Sequence, residues 1–597
     1  MQYSPKSRGV FLLAHVWYAL SMQSEKKLMF VFFGILAVAA LLRLTALGNG
    51  NALSDEVLYG FRSISYLDFD FALQQPSTLQ LLPGAAPWWT KLSFHDHPPL
   101  VFAVQHVFFV LFGVSLWTLR LSSALFALAS VWLVYAIGTR LFSKKTGLIA
   151  AAFMATDVLM VYVGRVGMQE SQVIFFSLLA VLFFVKGFEG QKWLFGVGLA
   201  LGAGVLSKYT ALFIVPPLLI YAALYERTML RSRYFYASVA VFCIVAIPVC
   251  IYNYFLYKTL GHFDFQLFHL FGQGVPYWQV APGKELGSLA QRLTGIFTNF
   301  AHYRSPLSNV LLMAALGMSG YQLIKKGKHG DRRVVLLLLL LAGAITMYAV
   351  IGSAVRFLTL VMPFVALLVA WGVSIILHTQ SQTRQQTIYA LLGLLVFLEI
   401  CYARNTFLLS QPLGMTPFTY SAIHWDVHDW GFNAVETYLN RALAGQYPAL
   451  TLPYTYPFLE ELHQQNIDRK KTGTAKPARV VVVYDDNIMD LPRLWTFDRR
   501  SLYEGWPMIS ATLYKEVIAG LTRETLSQLG GMEIIFIIPA NTRMPLVVKA
   551  RQTELGSIVQ THLMQQGSVP EEIVNRAGEK EFLVYRFQQQ LPGAFNE

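Results

Sequence analysis

Charge is scarce in this chain. Only 14% of its 597 residues are Asp, Glu, Lys or Arg, against 55% hydrophobic residues and a mean hydropathy of +0.46. That balance excludes a water-soluble enzyme of this size. Cysteine is scarcer still. Cys243, Cys250 and Cys401 all fall in apolar runs, which excludes a disulfide framework or a cysteine metal site in any soluble part. The C-terminal part has no glycine-rich phosphate turn, so it is assigned no nucleotide, and the chain shows no internal repeat or low-complexity tract. The first apolar run is not followed by a small-residue cleavage site, so residues 28–47 are expected to be a retained first span.

What the chain has instead is apolar runs long enough to cross a hydrocarbon core, which takes about 20 residues as a helix. They lie near 28–47, 119–141, 146–163, 172–187, 193–207, 210–225, 236–256, 306–324, 334–352, 357–378 and 387–404. The net charge of +13 sits between them, at Lys26, Lys27, Arg140, Lys144, Lys145, Arg227, Arg231, Arg233, Lys325, Lys326, Lys328, Arg332 and Arg333. Such clusters mark cytoplasmic loops, so their role is topological and no nucleic-acid partner is expected. Starting inside, about eleven crossings put every cluster on the cytoplasmic face and the C-terminal part outside. The run from Pro98 to Gly113 is short and interrupted by Gln105 and His106, and is read as interfacial or re-entrant.

The expected fold is a polytopic α-helical membrane protein with juxtamembrane helices and a C-terminal extracytoplasmic α/β domain. Residues 1–27 form a cytoplasmic N-terminus, 28–404 the transmembrane domain with a first outer loop at 48–118, and 405–597 the outer domain. From Asp426 onward the composition is that of a water-soluble domain. Helix-like stretches (Trp430 to Leu443, Leu513 to Leu529, Gln552 to Gln566) alternate with strands (Arg479 to Tyr484, Glu533 to Pro539, Glu581 to Phe587), predicting a largely parallel sheet.

Long loops concentrate function, and the two longest lie on the expected outer side, at 48–119 and 258–306. The first opens with Leu53-Ser54-Asp55-Glu56. Adjacent acids close to a membrane are costly unless solvated or employed. They also fit an ordinary helix start, with Ser54 or Asp55 as N-cap and the acids facing the dipole. The same loop ends in Phe94-His95-Asp96-His97-Pro98-Pro99-Leu100, whose prolines pre-form a turn. Alternate spacing puts His95 and His97 on one side of an extended segment with Asp96 opposite, an arrangement that could bind a divalent metal or a phosphate or simply be a polar turn. Arg165 and Glu170 in one outer turn, Ser207-Lys208-Tyr209 and Arg356-Phe357 place cations outside, against the positive-inside bias. Each alone could merely snorkel. Together, facing Asp55, Glu56 and Glu170, they suggest a lipid-phosphate pocket with a carboxylate beside it.

A first span followed by an Asp-Glu pair, then His97-Pro98-Pro99-Leu100 closing the loop, resembles the GT-C glycosyltransferases. The closer likeness is to the dolichyl-phosphate-mannose-protein mannosyltransferase-like and aminoarabinose-transferase-like branch (families 39 and 83). Arg120, the Arg165…Glu170 turn, Ser207-Lys208-Tyr209 and Arg356-Phe357…Pro363 look like further landmarks, and the likeness covers residues 28 to about 404. Glu170 stands where many relatives carry Asp, and the C-terminal domain resembles the α/β domains of bacterial members, not a β-trefoil. The resemblance implies transfer of a sugar from a polyprenyl-phosphate donor to an extracytoplasmic lipid, glycan or protein, with inversion, in a bacterial plasma membrane. It implies Asp55 as general base, Lys208 and Arg356 with Arg165 as phosphate-binding cations, and Glu56 and Glu170 as supporting carboxylates. His95, Asp96, His97, Pro98 and Tyr209 would line the pocket. No cofactor is required, although a divalent metal on Asp55, His95 and His97 stays open. The competing expectation is a multi-span transporter or lipid flippase, which would show inverted repeats and charges at the midplane. A third is a receptor whose spans only anchor a ligand-binding α/β domain.

Overall fold

Every apolar run read as a span is helical, though several helices are broken. In the computed structural model, which describes residues 25–52, 55–72, 75–82, 84–278, 287–326, 331–471, 474–488, 490–520, 532–540 and 554–588, five helices are long and apolar enough to cross a membrane. They are Glu25–Leu44, Leu116–Leu141, Arg233–Leu260, Arg332–Ile351 and Gln382–Phe407. Other runs are carried by Lys144–Thr156 with Val158–Val163, by Glu170–Lys186 and by Leu194–Ser207. The remainder form Val215–Tyr225 after the 3-10 turn Tyr209–Ile214, Pro306–Lys326, and Met362–His378 after Val355–Leu358.

The break at Asp157 shows how an interruption is accommodated. Its Oδ1 accepts from the Leu159 and Met160 amides, capping the short helix that follows, while Arg304 donates to Oδ2 from Nε (3.1 Å) and Nη2 (2.9 Å). The carbonyls released there are met by Arg43, fully buried on the first helix, which donates to the oxygens of Met154, Ala155 and Met160. Backbone groups away from water must find such partners.

Leu100–Phe112 is a helix of 13 residues, about 20 Å long and too short to span. The polar pair that interrupts its apolar run is engaged. Gln105 donates to the Gly167 carbonyl (2.9 Å) and accepts from Ser63, and His106 Nδ1 lies 2.8 Å from the Ser63 carbonyl. The two long loops pack together through the Phe265 amide to the His95 carbonyl (2.7 Å), Gln266 to the Asp96 carbonyl (3.0 Å) and Trp278 to the Pro76 carbonyl (2.9 Å).

Two compact units are present. The first takes the described residues through Gly48, Arg62–Leu81 and Pro87–Asp426; the second takes Asn49–Phe61, Leu82–Ala86 and the described residues from Val427 on. The division thus falls later than the expected boundary at residue 405. Residues 408–426 stay with the helical unit because polar groups tie them there. Asn405 donates to the Leu413 and Thr419 carbonyls, Ser421 to the Tyr303 carbonyl, and His424 Nδ1 lies 2.9 Å from the Thr406 carbonyl.

In the second unit, β1 (Gln446–Pro448) pairs in parallel with β2 (Lys476–Ala478). Strands β3 (Val480–Tyr484), β4 (Met508–Ser510), β5 (Glu533–Pro539), β6 (Glu571–Val574) and β7 (Lys580–Gln588) form one sheet in the order β4-β3-β5-β7-β6. Alternation splits the central strands between two cores. Val480, Val482, Ile535 and Ile537 enter one, and Val481, Val483, Ile534 and Phe536 the other. The sheet is mixed, correcting the expected largely parallel one, since β7 runs antiparallel to both β5 and β6. The cause is a short hairpin between β6 and β7, which leaves no room for a crossover. Part of the expected helix 513–529 lies outside the described residues.

In the first unit, Leu194–Ser207 and Arg233–Leu260 approach so closely that a Cβ on Gly198 would sit 1.9 Å from the Ser238 carbonyl oxygen. Gly198→Val is expected to lower the melting temperature of detergent-solubilised protein by several degrees, the effect of about 1–3 kcal/mol of overpacking. Gly317→Ala, with nothing within 4 Å, should leave it unchanged or slightly raised. Equal melting of the two variants would refute this packing.

Candidate active site

Lys208 sits at a break between helical segments. The helix Leu194–Ser207 stops, Lys208 is extended, and the 3-10 turn Tyr209–Ile214 begins. Its ammonium donates to Glu170 Oε1 at 2.7 Å, and both side chains are buried (10% and 1% exposed). Glu170 opens the helix Glu170–Lys186, where its charge also faces the positive end of the dipole. Lys208 Nζ lies 5.1 Å from the ring centroid of Phe357, and Arg356 Cζ lies 5.1 Å from the same centroid. Two cations therefore lie near one aromatic ring, and one of them is bonded to Glu170.

Arg165 is not part of this group. Its Nη1 donates to the carbonyls of Leu42, Arg43 and Thr45, and its Nη2 to that of Ala46. It closes the end of the first helix, whose last carbonyls have no intrahelical donor. Arg120 acts similarly, donating to the Leu47 carbonyl.

Tyr209 donates its hydroxyl to Asp264, which also accepts from Asn253 Nδ2 (2.8 Å) and caps the helix Phe265–Leu270. Burial raises the Asp264 carboxyl above its ordinary pKa, against the lowering by these hydrogen bonds. Tyr209 thus anchors the second long loop.

The His-Asp-His segment is a turn, closed by the Phe94 amide on the His97 carbonyl (3.2 Å), where an extended stretch was expected. Pro99 precedes the helix Leu100–Phe112, and the prolines deny the turn a helical continuation. Around it, Arg62 is bonded to Asp70 and, at 2.6 Å, to Asp96. His95 Nδ1 meets Asp68 Oδ1 at 2.8 Å, and His97 Nδ1 lies 3.1 Å from Asp96. Burial disfavours the His95 imidazolium, but Asp68 and then Asp96 outweigh it and raise its pKa above 6.5. Burial likewise opposes the Asp96 carboxylate, yet Arg62 foremost, then His97 and His95, hold it well below the usual range. The metal set expected from Asp55, His95 and His97 does not fit. His95 spends one ring nitrogen on Asp68 and has the other 3.2 Å from the Gln75 amide. The ligand-type group here is Asp68, His95 and Asp96, already neutralised as ion pairs.

Asp55 and Glu56 open the helix Asp55–Ser65, in agreement with a helix start; Leu53 and Ser54 lie outside the described residues. Asp55 is half-buried and accepts from Tyr59 one turn on (3.2 Å), while Glu56 is buried. Both belong to the second unit by its residues Asn49–Phe61, whereas the other candidate residues belong to the first. Sequence reasoning missed Arg62, Asp68, Asp70 and Asp264. An Arg followed by Asp68-Phe69-Asp70 in the loop already singled out was the available signal.

Removing one member of a buried ion pair costs about 3–5 kcal/mol, whereas replacing both by neutral groups of similar shape is often tolerated. Lys208→Met alone should therefore lower thermal stability more than Lys208→Met with Glu170→Gln. Additive losses in a double-mutant cycle would contradict the pair. His95 gives a second expectation. Its raised pKa contributes stability that is fully present below pH 6.5 and is lost as the pH rises through the folded-state value. Hydrogen exchange in residues 88–99 should quicken above pH 6.5 in wild type and show no such step in Asp68→Asn.

Comparison with known proteins matches part of the chain to a family and most of it to a known fold. Residues 96–252 match the family described as dolichyl-phosphate-mannose-protein mannosyltransferase, a stretch holding Asp96, His97, Arg120, Glu170 and Lys208 but neither Asp55 nor Arg356. Over 141 residues the chain is 28% identical to YkcB of Bacillus subtilis (23% of this chain, 20% of that one). Over 166 residues it is 30% identical to protein O-mannosyl-transferase 1 of Mus musculus (25% of this chain, 22% of that one). The matched stretch spans about a fifth of the length of these curated relatives. Among solved structures, ArnT from Cupriavidus metallidurans bound to undecaprenyl phosphate shares the fold. The TM-score is 0.51 at 10% identity, covering 94% of this chain and 98% of that one. These helices make the chain an integral membrane protein, whose residues 96–252 resemble that mannosyltransferase family and whose fold is that of ArnT.

Proposed function

We propose that this chain transfers a hexose or pentose from polyprenyl phosphate to an acceptor hydroxyl outside the cytoplasm, inverting the anomeric carbon. The observation that carries the reading is the approach of Lys208, bonded to Glu170, to the ring of Phe357 that Arg356 also faces. A phosphate monoester leaving group gains charge as its bond to the sugar breaks, and preorganised cations stabilise that charge. The likeness in fold to a protein holding undecaprenyl phosphate supports such a donor.

In this mechanism Asp55 takes the acceptor's hydroxyl proton as the oxygen attacks the anomeric carbon. The bond from that carbon to the phosphate oxygen breaks, and the electron pair leaves with polyprenyl phosphate, towards Lys208 and Arg356. Glu170 holds Lys208 in place, and Glu56 positions Asp55 or the acceptor. The acceptor is a lipid, a glycan or a protein. The reading includes about eleven crossings, an N-terminus in the cytoplasm, and a C-terminal domain outside a bacterial plasma membrane. Nothing in the fold or the relatives supports the transporter or flippase alternative.

The test is transfer of labelled sugar from a polyprenyl-phosphate donor by purified protein, with crude membrane lipid, glycan and protein offered as acceptors. Asp55→Asn should abolish transfer, by at least the roughly 100-fold that general base catalysis contributes, while leaving donor binding intact. Arg356→Ala should weaken donor binding. Full activity of Asp55→Asn would remove it from the base role, and no transfer by folded wild type with any acceptor would sink the reaction class.

A further inference from the structure

The loop that follows the helix Gln382–Phe407 is apolar where loops are ordinarily charged. From Asn405 to Trp425 the sequence holds no Asp, Glu, Lys or Arg. Within that stretch Leu413, Met415 and Phe418 are 69%, 65% and 67% exposed. Large apolar side chains crowded together on a surface mark a place where something other than water covers them. We propose that residues 411–419 are set into the membrane surface, with Leu413, Met415 and Phe418 among the lipid acyl chains of the adjoining leaflet. The inference rests on the helix Gln382–Phe407 crossing the membrane and is independent of the transfer reaction.

The helix fixes where the loop begins. Residues 382–387 are polar, so residues 388–407 supply the run of about 20 that a crossing takes. Leu391, Leu394 and Leu398 recur on it at helical spacing and are exposed, as side chains facing lipid are. Arg404, exposed one turn before the helix ends, reaches the headgroups as long cationic side chains at a membrane boundary do. The loop therefore starts at the level where the hydrocarbon core gives way to headgroups, and the leaflet is the occupant that the chain's own path supplies.

The loop is also built to enter an apolar medium, because its backbone groups are met from within. Asn405 Nδ2 donates to the Leu413 and Thr419 carbonyls (2.9 Å each), and its Oδ1 accepts from the Leu413 amide (2.9 Å). Thr419 Oγ1 lies 2.7 Å from the Leu413 carbonyl oxygen and 3.1 Å from that of Met415. The Phe418 and Thr419 amides both donate to the Met415 carbonyl (3.1 Å each). Gly414, at φ +87°, lets the turn close, since a Cβ there would lie 2.5 Å from Thr419 Oγ1. Polar groups are thus spent inside the loop while its apolar side chains stay outside, as a segment lying in a membrane interface requires.

The test is carried out on full-length protein whose Cys243, Cys250 and Cys401 are replaced by alanine. A nitroxide is attached at Leu413→Cys, Met415→Cys or Phe418→Cys, one at a time, and each variant that melts cooperatively is placed in nanodiscs of phosphatidylethanolamine and phosphatidylglycerol. Collisions with oxygen, which concentrates in hydrocarbon, are compared with collisions with a water-soluble nickel chelate. Leu398→Cys supplies the value for lipid, and Gln464→Cys, exposed on the helix Pro457–Lys471, the value for water. The loop positions should favour oxygen as Leu398 does. Nickel access like that of Gln464 would overturn the proposal, and so would exclusion of both reagents, which would mean that protein covers the loop. Three exposed positions keep the test decisive if one variant fails to fold.

Discussion

Buried guanidinium groups hold the helical unit together where its helices end. Within a bilayer no water meets a carbonyl released by a helix break, so the protein must supply the donor. Arg43 does so for the break at Asp157 and Arg165 for the end of the first helix, while Arg304 answers the carboxylate that caps the next segment. A guanidinium suits this task, with five donors in a planar fork and a charge that persists on burial. The turn between Val163 and Glu170 is thereby tied to the first helix, and the candidate pair Glu170 and Lys208 is built directly on that turn.

The loops that follow from this anchoring are locked by charge. Arg62, Asp68, Asp70, Asp96 and His95 interlink the first long loop, and backbone contacts from His95 and Asp96 extend the lock to the second. Rigid placement matters for group transfer, because catalytic geometry tolerates little displacement. The price is that carboxylates and imidazoles that look catalytic on paper are consumed as structure. His95 and Asp96 are the plainest cases.

Much of the architecture was legible before any coordinates. Runs of about 20 apolar residues, basic clusters between them and a composition change near Asp426 all act through local hydrophobicity, which the chain carries residue by residue. The strand at 480–484 and the one at 533–539 were legible for the same reason, being short continuous apolar runs. The antiparallel β7 was not, because strand direction depends on the length of the connection and on which neighbour is available.

At the site, sequence alone determined that Glu170, Lys208 and Arg356 are unusual cations and carboxylates at ends of apolar runs, and that Asp55 and Glu56 open a helix. Only tertiary structure decided which charges pair. It gave Lys208 to Glu170, brought Lys208 to the ring of Phe357, turned Arg165 to backbone carbonyls and joined His95 to Asp68. The physical reason is that a charge declares its sign and reach in sequence, whereas its partner is chosen by burial. Once water is excluded, the nearest complementary group, however distant along the chain, takes the interaction.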